Sequence, residues 1–285
     1  MKTRVVAALA LALVCCGVAA AQQQAQPVTF VTNYYVRPGK TADFMDLVRT
    51  VGAPIRDRMM AAGVIQSWGV AEPFLRAEGN ATFSIWYSTA DMGGVEMVQK
   101  EFAAALEKFA ADDQKAAEEA RKKGQKAPKS TAERIQETVD MSKTSDVIFR
   151  HLVVGGTTPL PAGSLPYYWL GYTKTLPGKG GEYRELWEKY NKPTYDKLAS
   201  SGAIAGFGLA TEEARTTDAF THLTMVQLPD LAAREKVRAA FAATTASRSE
   251  EMRRQVAQAF LATFDPAASR TIILRSLIYK TAPPR

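Results

Sequence analysis

The chain has 285 residues, 46% hydrophobic and 23% charged, with a formal net charge of +7. That balance belongs to a folded globular protein of one or two domains rather than a disordered chain. The only cysteines, Cys15 and Cys16, lie in the first segment, so a chain trimmed beyond them has no disulfide, cysteine-zinc site or thiol nucleophile.

That first segment reads MKTRVVAALALALVCCGVAAAQQQ. Lys2 and Arg4 precede an apolar run from Val5 to about Val18, and Ala19-Ala20-Ala21 supplies small residues, the three-part pattern of a signal peptide over residues 1–21. The run is shorter than the roughly 20 residues a spanning helix needs, so cleavage after Ala21 is preferred to retention as an anchor. Lipidation at a cysteine is disfavoured because neither Val14 nor Cys15 is Gly or Ala. The expected location is secreted or periplasmic, with no membrane span after cleavage.

Beyond it, VTFVTNYYV from Val28 reads as a strand, followed by the turn RPGK and a helix on which Phe44, Leu47, Val48, Val51, Ile55 and Met59 recur at three- and four-residue spacing. Pro54 falls inside that pattern and predicts a kink or break, and Gly63 is placed to close the helix. VIQSWGV and ATFSIWYS then read as a hairpin. A second helix starts near Asp91, whose carboxylate suits a first turn. The stretch QKAAEEARKKGQKAPKS carries much of the basic charge with acids interleaved, which reads as a solvated helical face. Without interleaved aromatics it argues against a nucleic-acid partner. Ser130 and Glu133 predict a capping box on a further short helix, and DVIFRHLVV from Asp146 reads as the last strand.

The same order then recurs. With Gly39 set against Gly178 the register runs without a gap, matching Leu47 with Leu186, Pro54 with Pro193, Gly63 with Gly202, Gly69 with Gly208, Asp91 with Asp230 and Phe102 with Phe241. The second set of elements is YYWLGYTKTL, LPGKGGEYRELW, AIAGFGL, AFTHLTMV, a helix from Asp230, SRSEEMRRQVAQAFLATF and RTIILRSLIY. The expected organisation is a first ferredoxin-like repeat over 27–154, with a charged helical insertion at about 110–144. A Gly/Pro-rich linker over 155–166 and a second repeat over 167–281 follow. VIFRHLVV, TIILRSLI and YYWLGY are apolar or aromatic on both faces, so each sheet needs a second cover, and the other copy's sheet is the natural one. The predicted fold class is α+β, two tandem βαββαβ repeats packed sheet to sheet as an intrachain α+β barrel.

The βαββαβ order, the PGK turn after the first strand and the FSIWYSTAD strand-to-helix passage resemble the dimeric α+β barrel superfamily, which includes antibiotic-biosynthesis-monooxygenase-like and NIPSNAP-like proteins. The resemblance implies a barrel with half supplied by each copy, and it leaves the activity open, since the superfamily holds oxygenases, isomerases, haem enzymes and proteins of no known activity. Its haem-degrading branch uses an asparagine on the first strand and a tryptophan and a histidine on the second helix. Asn33 matches, but MGGVEMVQKEFAAALEKF has neither of the other two, which counts against haem. No cofactor is expected.

His151 and His222 are the only histidines, both on strands, and with Asn33 they are the candidates for catalysis; no histidine spacing points to a metal. Arg150 and Arg275 correspond in the last strands, where each needs an internal acid or a ligand carboxylate. Tyr35, Trp68, Trp86, Tyr168, Tyr172 and Phe207 make an aromatic set that packs the core or lines a pocket for a flat molecule. The leading expectation is an exported protein of unassigned activity that binds a small apolar or carboxylate-bearing ligand. The alternative is a cofactor-independent oxygenase or isomerase acting on a small aromatic or apolar substrate. Further oligomerisation is compatible with either.

Overall fold

The structure is a computed structural model that describes residues 26–77, 80–156, 160–161, 163–215 and 220–282. The expected signal peptide lies outside the described residues, as does part of the expected linker. The first half contains β1 (Val28–Tyr34), α1 (Thr41–Leu47), a wider π-helical turn (Val48–Gly52), α2 (Ala53–Ala61), β2 (Ile65–Pro73), β3 (Phe83–Thr89), α3 (Met92–Lys122), α4 (Thr131–Thr138) and β4 (Ser145–Gly155). The second contains β5 (Tyr167–Thr175), α5 (Gly180–Tyr190), α6 (Lys192–Ser200), β6 (Gly206–Arg215), β7 (His222–Leu228), α7 (Ala232–Ala246), α8 (Glu250–Leu261) and β8 (Phe264–Thr281).

Local chemistry sets these boundaries. Gly39 and Gly178 turn the chain out of β1 and β5 at φ +76° and +74°, a region where a side chain would be strained. Pro54 and Pro193 stand in the first turns of α2 and α6; before Pro193 the helix breaks at Asn191, whereas before Pro54 the chain stays helical and widens into the π-helical turn Val48–Gly52. Asp91 accepts from the Gly94 amide at 2.9 Å and Asp230 from the Ala233 amide at 2.8 Å, capping the helices that follow. Ser130 and Glu133 form the reciprocal capping box of α4. The expected charged insertion begins as a continuation of α3, which runs for 31 residues where α7 runs for 15, and then includes α4.

All eight strands form one closed antiparallel barrel in the order β1-β3-β2-β8-β5-β7-β6-β4, with β4 returning to β1. The halves therefore join by their edges, β2 on β8 and β4 on β6, rather than by pressing one sheet face on the other as the strand composition led us to expect. The reason is the backbone: each four-stranded sheet ends in two rows of unpaired N–H and C=O groups, and closing the barrel pairs all four rows. The apolar inner faces look at each other across a lumen.

Both seams are built alike. Arg275 on β8 bonds Glu72 on β2, and Arg150 on β4 bonds Glu213 on β6 at 2.8 Å through two nitrogens. Gly69 and Gly208 let the seam strands approach: a Cβ on Gly69 would lie 2.6 Å from the Ile278 carbonyl, and one on Gly208 would lie 2.9 Å from that of Val153.

Helices cover only the outside. The first half's helices pack Phe44, Val48, Met59 and Val98 on the outer residues Val28, Trp68 and Phe83. The second half's helices pack Tyr183, Trp187, Tyr195 and Val237 on Phe207, Leu209 and Val226. A third cluster, including Ala71, Val147, Phe149, Tyr168, Leu170, Ala210, Leu223 and Leu274, mixes strands of both halves and lies inside the barrel.

Candidate functional site

Because side chains alternate along a strand, one set from every strand must point inward. Here that set leaves a cavity of about 440 Å³, within the roughly 300–1,000 Å³ typical of small-molecule sites. Eight strands make a barrel that bulky side chains can fill. This one stays hollow because several inward positions are small: Ser67, Ser84, Ser88, Gly208 and Ala210.

Strand direction divides the cavity into levels. From the antiparallel pairings, β1, β2, β5 and β6 run one way and β3, β4, β7 and β8 the other. The starts of β1 and β5 thus share one end with the close of β3 and β7, which places Thr29, Ser88, Tyr168 and Gln227 at a polar floor. The middle is apolar, with Val31, Trp86, Val147, Phe149, Leu170, Met225 and Ile272. At the other end stand Asn33, Tyr35, Asp146, Glu212 and Tyr172, together with Leu75, Lys143 and Arg270. Those last three are the exposed members of the lining, so the mouth opens there.

His151 reaches the lumen from β4. Its Nε2 lies 2.8 Å from Thr29 Oγ1, which in turn lies 2.6 Å from Ser88 Oγ, while its Nδ1 is buried without a partner. Burial lowers its pKa to about 4, so the ring is neutral near pH 7. Across the floor the Tyr168 hydroxyl is buried with no partner at hydrogen-bonding geometry, the Ser276 hydroxyl and Gln227 amide beside it, and burial holds its pKa well above the phenolic range. Tyr168 meets Trp86 edge-on at 5.9 Å, and Trp86 contacts Tyr279 at 6.2 Å. Near the mouth Ser84 donates to Asn33 Oδ1 at 2.7 Å. Tyr172, raised to about 12 by burial against the lowering influence of Arg270, lies under that guanidinium at 5.0 Å.

The barrel therefore gathers Asn33, Tyr35, Trp86, His151, Tyr168 and Tyr172 around one space. It separates the other candidates from that space. His222 points outward beneath α5, with Nδ1 3.0 Å from Thr221 Oγ1 and its ring 5.2 Å from that of Tyr183; burial lowers its pKa to about 4. Trp68 is wholly buried under the first half's helices and donates to Asp57 at 3.0 Å. Phe207 packs under the second half's helices against Tyr195 at 5.3 Å. Arg150 and Arg275 are held at the seams by glutamates, and their guanidinium pKa values are raised by those bonds. Thr29, Ser88 and Arg270 escaped the sequence reading, although Thr29 and Asn33 share a strand parity that would have placed Thr29 inside.

Among the described residues no cluster of histidine, cysteine or carboxylate side chains could hold a metal ion, and no helix is long and apolar enough to cross a membrane.

No protein-family model matches the chain, and no curated protein sequence is significantly similar to it. Solved structures do share its fold. A candidate monooxygenase of Fusobacterium nucleatum superposes with a TM-score of 0.53 at 11% identity, over 90% of this chain and 95% of its own. Another from Lactobacillus acidophilus gives 0.53 at 7% identity, over 90% and 97%. An anthrone oxidase-like protein gives 0.49 at 9% identity, over 92% and 95%. The class this defines is a mixed α+β protein built on a closed eight-stranded antiparallel barrel.

Proposed function

We propose that the lumen is a binding chamber for a small, flat, mainly apolar molecule, in an exported protein whose two halves are tandem copies of one ferredoxin-like unit. The repeated register and element order support the duplication, and the amino-terminal pattern supports export. One observation carries the binding reading: inward side chains from all eight strands leave about 440 Å³ empty instead of filling it. Aromatic walls at Trp86, Phe149 and Tyr172 suit a planar ring, and the polar floor suits a hydroxyl or carbonyl at its end.

Val31→Phe puts a ring into the apolar middle. In calorimetric titrations with methyl 2-naphthoate, the wild-type protein should bind saturably and the variant at least tenfold more weakly, with its urea midpoint near the wild-type value. Equal affinity in the two proteins would place the probe elsewhere.

A second reading, a cofactor-independent oxygenase or isomerase, is favoured by His151, a neutral imidazole facing the lumen beside two hydroxyls. By analogy, the similar folds of two candidate monooxygenases lean the same way. A base whose conjugate acid has a pKa of about 4 accepts protons weakly at neutral pH, which ranks binding ahead of catalysis.

A further inference from the structure

We infer that the chamber takes an acid, and that Arg270 is the residue that meets the ligand's carboxylate. This rests on the reading of the lumen as a binding chamber and adds the chemical class of what enters it.

Below the mouth the walls are apolar down to a floor that is polar but carries no charged side chain among the described residues, so the rim is where a formal charge on a ligand finds an opposite one. Four ionisable groups of opposite sign stand there, and they are not evenly spread. Asp146 lies at the start of β4 and Lys143 in the turn just before it, and Glu212 lies on β6, the strand paired with β4. Asp146 takes the Thr32 hydroxyl at 2.6 Å, Lys143 sits 3.6 Å from Asp140, and Glu212 also has a partner of its own. Arg270 stands apart on β8, separated from β6 by β5 and β7. Among the described residues no carboxylate pairs with it. Its guanidinium lies instead 5.0 Å over the ring of Tyr172, its direct register partner on β5. Tyr172 is itself part of the lumen wall, so the stacking holds the cation against the rim, its N–H edge without a partner among the described residues. A planar aromatic acid inserted ring-first would contact Tyr172 and bring its carboxylate to that edge. Arg150 and Arg275, the arginines that drew notice in the sequence, are already occupied at the seams.

The test compares 2-naphthoate with its neutral methyl ester on the full chain, with Arg270→Gln and Arg270→Lys beside wild type. Arg270→Gln should weaken 2-naphthoate about tenfold and leave the ester within about twofold, and Arg270→Lys should recover most of the loss, as expected for a charge-assisted contact. The inference is overturned if Arg270→Gln shifts both probes alike or neither, or if wild type takes the ester and refuses the acid. Binding of neither probe to wild type would instead remove the chamber reading, and this inference with it.

Discussion

Acidification from pH 7 to pH 4 should weaken the fold by about 3 kcal/mol through His151 alone, taking about 1.4 kcal/mol per pKa unit. The ring ionises near pH 6.5 when unfolded and only at about 4 when folded, because burial disfavours its charged form. Above pH 6.5 both states are neutral and the group contributes no slope. Between 6.5 and 4 the unfolded chain gains a proton that the folded barrel refuses, so stability falls as pH falls. Below about 4 both states are charged and the slope ends. Carboxylates titrate in part of the same window, so the quantity to measure is the difference between wild type and His151→Gln in urea unfolding free energy at pH 7, 5.5 and 4. That difference should close or reverse by about 3 kcal/mol across the window. A difference constant with pH would mean that His151 is hydrated rather than buried among Thr29, Ser88 and the barrel wall.

Replacing Arg56 with methionine should stabilise the protein by about 2 kcal/mol. Arg56 is only 7% exposed, and among the described residues no carboxylate pairs with it. Its Nε has no partner. Its guanidinium meets rings instead, Phe102 at 4.8 Å and Trp68 at 5.7 Å. Burial lowers its pKa. The opposing magnitudes decide the sign: removing such an ion from water costs several kcal/mol, whereas desolvated cation–π contacts return about 2 kcal/mol. Methionine keeps nearly the same bulk without the charge. At the position 139 residues further on, the second half carries Tyr195, an uncharged side chain packed among Trp187, Phe207 and Phe241. Urea midpoints at fixed pH give the comparison. A loss of more than about 1 kcal/mol would show the guanidinium to be held by favourable contacts that outweigh its desolvation.

Much of the fold was legible in the chain because its signals are local. The PGK turns, the paired prolines, the Asp91 and Ser130 caps and the strand-helix order are each fixed by residues within a few positions of one another. That the halves share one barrel followed from the family resemblance, and the closed barrel bears that out; that they join by their edges around a hollow was not legible in the residues. Strands apolar on both faces demand a second cover, and stacked faces or a hollow closed barrel both provide it; edge pairing depends on backbone groups that carry no residue signature. The acid partners of the two seam arginines show the same limit, lying 63 and 203 residues away along the chain.

The site was half legible for a related reason. In HLTMVQL the two faces, His222-Thr224-Val226 and Leu223-Met225-Gln227, are similarly apolar, so alternation gives no hint which looks inward. His222 therefore looked as eligible as His151, and only the closed barrel separates them. Arg270 was hidden because its importance comes from the rim, which exists only once eight strands have closed.

The central claim is that the ring of strands encloses a usable space, and the most direct measurement is a crystal structure of the protein soaked with 6-bromo-2-naphthoic acid. The bromine's anomalous signal should appear inside the barrel, between Val31 and Leu170. A lumen packed solid with side chains, or bromine bound only on the outer helices, would contradict it.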